Sequence, residues 1–286
     1  MAIDQDIIVG AQPRNDSIVA FSNVNHNYQD YWFDANNFCI DRGTPFWYKY
    51  ALCGVKGVLD RHLKPASGWR GANLLFEGCI PPSAGLSSSS ALVCSTALLT
   101  AHNNNLNPTK KTLAEMCAQS ERHIGTEGGG MDQAIAFLAS QGTAKLIEFN
   151  PLCCHDVQLP SGAVFVIANC LAEANKAVGS EFNCRVVECN LAAQVLAVMH
   201  GVDGTCITNL SQLQFSMRKT LPEMAAIVQT TLHKEPFSKE ELASLIGLTV
   251  SELEERFMPD NTRHIEEFKL HQRALHVYEG WSYLNN

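Results

Sequence analysis

The stretch Pro81-Pro-Ser-Ala-Gly-Leu-Ser-Ser-Ser-Ser-Ala91 decides the fold, because it joins a strand-like segment to an apolar helical one through small residues. Residues 72–77 before it are typical of a β-strand, and residues 87–102 are typical of an apolar helix. A glycine and a serine run at a helix start place free backbone N–H groups and the positive end of the helix dipole at one point. This pattern predicts a phosphate-binding loop.

The loop differs from two common nucleotide-binding patterns. No lysine follows its glycine as in the P-loop, and the G-x-G-x-x-G spacing of dinucleotide-binding folds is missing. A flexible serine linker, or a simple serine N-cap with small neighbours, is the alternative interpretation. The local chemistry leaves both interpretations open.

A second informative stretch is Ser120-Glu-Arg-His-Ile-Gly-Thr-Glu-Gly-Gly-Gly-Met-Asp-Gln133. Its three consecutive glycines allow a ligand to approach the backbone closely, and Asp132 then falls in the first turn of the next predicted helix. A carboxylate there is suited to accept a proton from a hydroxyl nucleophile, and Glu121 is suited to hold magnesium. The pair fits phosphoryl transfer. The alternative is a glycine helix stop followed by an ordinary helix-start aspartate.

The remaining pattern predicts an α+β fold with a mixed sheet and helices, followed by a helix-rich C-terminal region that begins near residue 178. Gly247 is a predicted helix stop, and Ser238 and Ser251 have the spacing of capping boxes with Glu241 and Glu254. The predicted strands are 6–10, 17–21, 31–33, 72–77, 143–149 and 162–168, and the predicted helices before the tail are 47–63, 87–102, 111–124 and 131–138.

Composition excludes several functional classes. The 286 residues are 46% hydrophobic and 17% charged with a net charge of -8, and no apolar run reaches the ~20 residues of a membrane helix. Basic residues are scattered, so we expect neither nucleic acid nor a membrane as partner. Eleven cysteines without C-x-x-C spacing indicate reduced thiols and a cytoplasmic location. A zinc site at Cys153, Cys154 and His155 is disfavoured, because adjacent residues do not readily surround one tetrahedral ion.

The two quoted stretches, in this order, closely resemble the galactokinase branch of the GHMP small-molecule kinases. Within that branch, the residues before Asp132 and the segments 142–149 and 159–169 look most like those of the N-acetylgalactosamine kinases. The resemblance implies an ATP- and Mg2+-dependent kinase that phosphorylates N-acetylgalactosamine, or galactose, at the anomeric hydroxyl. It runs from the first residue to about Tyr278 and so covers nearly the whole chain.

The resemblance also implies roles for individual residues. Asp132 matches the catalytic base and, with Gly129 and Gly130, forms the expected substrate-binding set. Ser89 and Glu121 match the magnesium-holding positions. The positions expected to bind ATP are Gly85, Leu86, Ser87, Ser88 and Asn175. Trp47 is either part of the adenine pocket or, as its place at a helix start favours, an aromatic core residue.

The chain departs from the family pattern at both ends. It lacks the signature Gly-Arg-x-Asn-x-x-Gly-Glu-His-x-Asp-Tyr, whose side chains assist the base and grip the sugar, and it lacks a glycine-rich C-terminal motif. We therefore expect residues 1–178 to form an N-terminal ATP-binding domain without its first strand and sugar signature, and residues 179–286 a partial C-terminal domain. Loss of one electrostatic group of this kind costs ~10²-fold in rate, so impaired turnover is expected.

Two alternatives to the sugar kinase remain. One is a catalytically silent ATP-binding or sugar-sensing paralogue, against which the presence of Asp132 and Glu121 argues. The other is a different GHMP kinase activity such as mevalonate phosphorylation, which the galactokinase-like sequence around Asp132 disfavours. The sequence predicts no oligomeric state.

Overall fold

The computed structural model describes residues 2–44, 46–62, 65, 68–149, 151–172 and 179–282. The chain divides into two compact units, Met1–Ala177 and Val178–Asn286. The first unit has the strands β1 (Ile7–Pro13), β2 (Ile18–Asn23), β3 (Tyr31–Asp34), β4 (Ala72–Gly78), β5 (Thr143–Glu148) and β6 (Cys153–Gln158). Its α-helices are α1 (Trp47–Arg61), α2 (Ser88–Asn103), α3 (Lys110–Ser120) and α4 (Met131–Leu138).

The main sheet of the first unit is mixed, as predicted. Its strand order is β1-β4-β2-β3, in which β4 pairs antiparallel with β1 and parallel with β2. The face that carries Phe21, Leu74 and Phe76 is buried against α1. The two rings flanking Phe21 meet it edge-on, Phe33 at 5.4 Å and Phe76 at 5.6 Å between centroids, an arrangement that aromatic pairs prefer.

Helix α1 links this sheet to the other helices. Val55 and Val58, predicted from their helical spacing, are almost fully buried. Gly54 sets how closely α1 approaches α2, because a Cβ at this position would lie 2.3 Å from the Val93 carbonyl oxygen. The helix ends at Arg61 rather than at the predicted residue 63, which lies outside the described residues.

The predicted helix 111–124 is divided in two. The α-helix α3 ends at Ser120, and Glu121–Ile124 form a 3-10 turn that Gly125 closes with a φ of 89°. Because a 3-10 helix has three residues per turn, the side chains of residues 121–124 point in different directions from those that a continued α-helix would give. This is the element that carries Glu121.

The predicted strand 162–168 is wrong. Residues 163–172 have no regular secondary structure, and Val164, Phe165, Val166 and Ile167 are 84%, 56%, 88% and 57% exposed. An apolar run predicts a strand only where a neighbour accepts its backbone hydrogen bonds, and within the described part of the chain no strand pairs with this one. The partner of β5 is instead the unpredicted β6, whose composition is largely polar.

The second unit is helical around α5 (Glu181–Met199). Residues 191–197 of α5 are all buried, which is typical of a helix surrounded by others. The surrounding elements are α6 (Leu210–Met217), α7 (Leu221–Thr231), β7 (Phe237–Ser238), α8 (Lys239–Ile246), α9 (Val250–Phe257), β8 (Glu267–Phe268) and α10 (Leu270–Ser282). Short 3-10 turns occupy Gly204–Cys206 and Asp260–Thr262.

The helix boundaries of the second unit agree with some of the predicted caps and differ from others. Gly247 ends α8 with a φ of 77°, as predicted. Ser238 accepts from the Glu241 amide as the N-cap of α8, but the Glu241 side chain pairs with His233 Nε2 at 2.9 Å, so only half of the predicted capping box forms. The predicted box at Ser251 is wrong because Thr249 makes the capping box with Glu252 and so starts α9 earlier. A further capping box at Thr220 starts α7.

Among the described helices, none combines the length and apolar character that crossing a membrane requires. All eleven cysteines fall within described residues and are free thiols.

Candidate active site

The predicted phosphate loop connects β4 to α2 and has an unusual backbone. Ser83, Gly85 and Ser87 have φ angles of 54°, 75° and 60°, so every second residue is left-handed. For a non-glycine residue this conformation costs ~1–2 kcal/mol, and such strain concentrates at ligand sites. Ser87 is the N-cap of α2 rather than its first helical residue, and its side chain makes no capping hydrogen bond.

The residues expected to bind ATP occupy this turn and the helix start. Gly85 and Leu86 precede the N-cap Ser87, and Ser88 is the first residue of α2. Nothing lies within 4 Å of a Cβ placed on Gly85, so the loop is open on that side. The first amides of a helix have no partner within the helix, so they are suited to bind an anion. Asn175, the fifth expected residue, lies outside the described residues.

Glu121 is a carboxylate buried beside the start of α2. It is 6% exposed, and its Oε2 accepts a hydrogen bond from Ser90 Oγ at 3.0 Å. Burial raises the pKa of the Glu121 carboxyl above its ordinary value, while hydrogen bonds from Ser89 and Ser90 oppose the rise and the charge of Asp132 adds to it. The structure therefore brings together both predicted magnesium positions, Ser89 and Glu121.

Besides Asp132, the side chains near Glu121 include Tyr50 and Cys53. Burial and, secondarily, the charge of Glu121 raise the pKa of Tyr50 to about 12. The same two causes raise the pKa of the Cys53 thiol well above its ordinary value. Within the described residues, no cluster of three or more histidine, cysteine, aspartate or glutamate side chains is suited to hold a metal. Glu121 thus offers a single buried carboxylate with hydroxyls beside it.

Asp132 is the second residue of α4 and is half-buried. The N-cap of its helix is Gly130, which has a φ of 92°, and a Cβ there would lie 3.0 Å from Ala118 Cβ. Gly129 has nothing within 4 Å of such an atom. Gly130 therefore shapes the backbone that presents Asp132, whereas Gly129 borders open space.

Two polar residues that the sequence analysis missed complete this cluster. Ser90 and Gln133 are each 3% exposed, and Gln133 Nε2 donates to Ser90 Oγ at 3.2 Å and also to Glu121 Oε2. The helical spacing of Gln133 with Phe137 places it on the buried face of α4, and a polar residue on such a face requires a partner. That signal was present in the sequence.

Comparison with known proteins finds similarity over the segment that carries this cluster. Residues 50–140 match the family described as GHMP kinases N terminal domain. A galactokinase of Dictyostelium discoideum is 38% identical over 287 residues, which cover 97% of this chain and 57% of that protein. A galactokinase of Schizosaccharomyces pombe is 28% identical over 325 residues, covering 97% of this chain and 62% of that protein. By sequence, this chain is a relative of galactokinases over nearly its whole length, with a GHMP kinase segment at residues 50–140.

A solved member of the galactokinase family has the same fold. The crystal structure of the Lactococcus lactis galactokinase complexed with galactose matches with a TM-score of 0.56 and 20% identity, covering 92% of this chain and 61% of that one. The chain spans less than two thirds of the length of these relatives. The loop, Glu121 and Asp132 all lie within the matched GHMP segment 50–140, whereas Asn175 lies beyond it.

Trp47 and the residues of the disfavoured zinc site lie outside the cluster, in described segments. Trp47, the first residue of α1, donates its indole N–H to the Gln29 carbonyl at 2.9 Å and packs against the Phe76 ring at 5.2 Å. This is the packing that the core alternative for Trp47 predicts. Cys153, Cys154 and His155 follow one another along β6, where successive side chains point to opposite faces.

Proposed function

We propose that this chain takes part in the ATP-dependent phosphorylation of a sugar at its anomeric hydroxyl, with galactose as the sugar. The observation that carries the proposal is that Glu121 lies beside the start of α2, where Ser90 donates to it, and is hydrogen-bonded by Gln133 from the same turn of α4 that carries Asp132. The similarity to galactokinases supports galactose. A preference for N-acetylgalactosamine stays a prediction of the sequence, and the same assay tests it.

In this proposal the loop binds the phosphates of ATP. The backbone amides at the start of α2 and the serine hydroxyls there are neutral donors, which suit phosphate oxygens without neutralising them. The helix dipole adds favourable potential at that end. Gly85 leaves the outer side of the loop free of side-chain atoms.

Asp132 has the role of the base. As the anomeric oxygen forms its bond to the γ-phosphorus, the bond from that phosphorus to the β–γ bridging oxygen breaks and ADP leaves. The proton of the anomeric hydroxyl passes to the Asp132 carboxylate. General base catalysis of this kind contributes ~10²–10⁴-fold to the rate.

Glu121 and Ser89 are the residues suited to hold Mg2+. Magnesium in phosphoryl-transfer sites is held by one or two carboxylates together with substrate phosphates, so a single buried carboxylate beside a hydroxyl is a fitting donor set. Bound there, the ion would neutralise charge on the phosphates. The raised pKa of Glu121 reflects a burial cost that a cation would offset.

The decisive experiment measures ADP release with Mg2+-ATP and either galactose or N-acetylgalactosamine. We expect sugar-dependent release that falls by ~10²–10⁴-fold in Asp132→Asn. Asp30→Asn, at an exposed position remote in sequence from the site, is the matched control and should retain wild-type activity. Absence of sugar-dependent release from a chain shown to be folded would refute the kinase proposal.

A further inference from the structure

Gln133 joins three separate elements at the candidate site. Its side chain is 3% exposed on α4, and its amide donates to Ser90 on α2 and to Glu121 in the 3-10 turn after α3. Ser90 in turn donates to the same carboxylate oxygen, Glu121 Oε2. The three side chains form a closed triangle in which Gln133 supplies N–H donors and Ser90 relays one of them.

The triangle fixes the direction of the Glu121 carboxylate. A carboxylate group that accepts a single hydrogen bond is still able to rotate about its Cγ–Cδ bond. Two donors that approach one of its oxygens from different directions restrict this rotation and so fix the plane of the group. The donors come from two helices, so the orientation depends on how α2 and α4 pack rather than on the local rotamer of Glu121. Buried polar networks of this kind specify one arrangement when every member is satisfied.

The chemical type of residue 133 matters as much as its position. An amide donates hydrogen bonds without carrying charge, so it orients Glu121 while leaving its negative charge available. A lysine or arginine would orient the carboxylate but neutralise it. A second carboxylate would repel it and force one of the two to remain protonated. Glutamine satisfies both requirements at once.

We propose that Gln133 is a positioning residue that orients Glu121 for cation binding, with Ser90 as its intermediary. The proposal rests on the proposed function for the identity of the cation, because Mg2+ is what Glu121 would hold in a sugar kinase. Gln133 also directly follows Asp132 in α4, so one turn of helix carries the expected base and the residue that orients the cation ligand.

The test compares Gln133→Met with a matched variant of another buried glutamine. Methionine keeps the length of the side chain and removes its donors. Gln194→Met is the control, because Gln194 is 4% exposed and its amide donates to the carbonyls of Gly204 and Ile207 in the second unit. Both variants lose two hydrogen bonds of a buried amide, and only one of them lies at the site.

The main readout is Mn2+ binding to the ATP-free protein, followed by electron paramagnetic resonance. We expect Gln133→Met to weaken Mn2+ binding by ~10-fold, the lower end of the effect of removing a residue that orients a metal ligand. Gln194→Met should bind Mn2+ with the affinity of the wild type, even if the substitution lowers the midpoint of thermal unfolding. In turnover assays, Gln133→Met should raise the KM for Mg2+ more than it lowers kcat.

Equal Mn2+ affinity in wild type and Gln133→Met overturns the inference, as does a folded wild-type protein that binds no Mn2+. If Gln133→Met fails to fold, Ser90→Ala replaces it, since the loss of the intermediary should weaken Mn2+ binding in the same direction. Mn2+ binding without sugar-dependent ADP release refutes the proposed function. In that case the ratio of the Mn2+ affinities of wild type and Gln133→Met still decides the role of Gln133.

Discussion

Removing the charge of Glu188 should loosen the second unit, and the structure allows the effect to be sized. Glu188 on α5 is 1% exposed. Its carboxylate accepts hydrogen bonds from the Lys269 backbone N–H at 2.9 Å, from Arg273 Nε at 2.9 Å and from Arg185 Nη1 at 2.9 and 3.1 Å. It thus ties α5 to the residue before α10 and to the first turn of α10, more than 80 residues further along the chain.

The magnitude follows from what each substitution leaves behind. Glu188→Gln keeps the shape and one acceptor oxygen but loses hydrogen bonds to charged donors, each worth ~1.5–3 kcal/mol. Glu188→Ala removes every acceptor and leaves Arg273, whose side chain is 18% exposed, without its carboxylate. Breaking a buried pair in this way costs ~3–5 kcal/mol. We therefore expect Ala to destabilise the second unit more than Gln.

The effect should depend on pH. Burial by itself raises the pKa of Glu188, but hydrogen bonds from Lys269, Arg185 and Arg273 outweigh it and hold the pKa below the ordinary value of 4.5. The stabilisation is therefore fully present above the unfolded-state pKa and is lost as the pH falls through the lower folded-state pKa. Wild type and Glu188→Gln should differ at neutral pH and converge in acid.

Hydrogen exchange read by mass spectrometry is the suitable assay, because it reports the protection of α5 and α10 separately from the first unit. At neutral pH, Glu188→Gln should lose ~10-fold or more of its protection in these two helices. Glu255→Gln, an exposed glutamate on α9, is the control and should leave protection unchanged. Equal protection in Glu188→Gln and wild type, or a difference that persists undiminished in acid, would show that the charge of Glu188 contributes nothing.

Three further outcomes are expected. Because burial raises the pKa of Glu121, the metal-free protein should lose stability as the pH rises through that folded-state pKa, so thermal melts of Glu121→Gln should exceed wild type at about pH 8 and match it at about pH 4. Gly130→Ala should cost ~1–2 kcal/mol in urea denaturation, and Gly129→Ala, with open space at its Cβ, should stay within ~0.5 kcal/mol of wild type. Tyr278→Phe should lower the free energy of unfolding by ~1 kcal/mol, because the buried hydroxyl donates to the Leu210 carbonyl at 2.9 Å; an unchanged value would show that the bond adds nothing.

Local signals were sufficient for much of the first unit. The helical spacing around Val55, the glycines before Met131 and the apolar strand 72–77 each encode their element within a few residues, and the structure has all three. The position of Asp132 in the first turn of α4 followed from the same local pattern. These features need little information from distant parts of the chain.

Sheet pairing was harder to predict because it depends on residues far apart. The apolar run 162–168 has the composition of a buried strand and yet lies exposed, while the polar strand β6 exists because a short turn brings it alongside β5. The composition of a segment indicates how much apolar surface it is able to bury. Whether that surface is buried depends on whether the segment pairs with a neighbouring strand.

The fine structure of the site was also beyond sequence patterns. Four serines in a row, 87–90, offer no local signal as to which hydroxyl reaches Glu121, because a rotation of the helix start by one residue exchanges them. The left-handed backbone of Ser87 sets that rotation, and the packing of α4 then supplies Gln133 as the second donor. Both depend on contacts among three elements.

The exposed run from 163 to 172 has a practical consequence for the protein in solution. It contains no charged residue and no proline, and it is rich in valine, isoleucine and phenylalanine, which is the composition of segments that nucleate intermolecular β-structure. Two molecules that meet through this run need not unfold first. Self-association should therefore accelerate with protein concentration and with sulfate, and the working lifetime of a preparation should be set by these ten residues rather than by the free energy of unfolding.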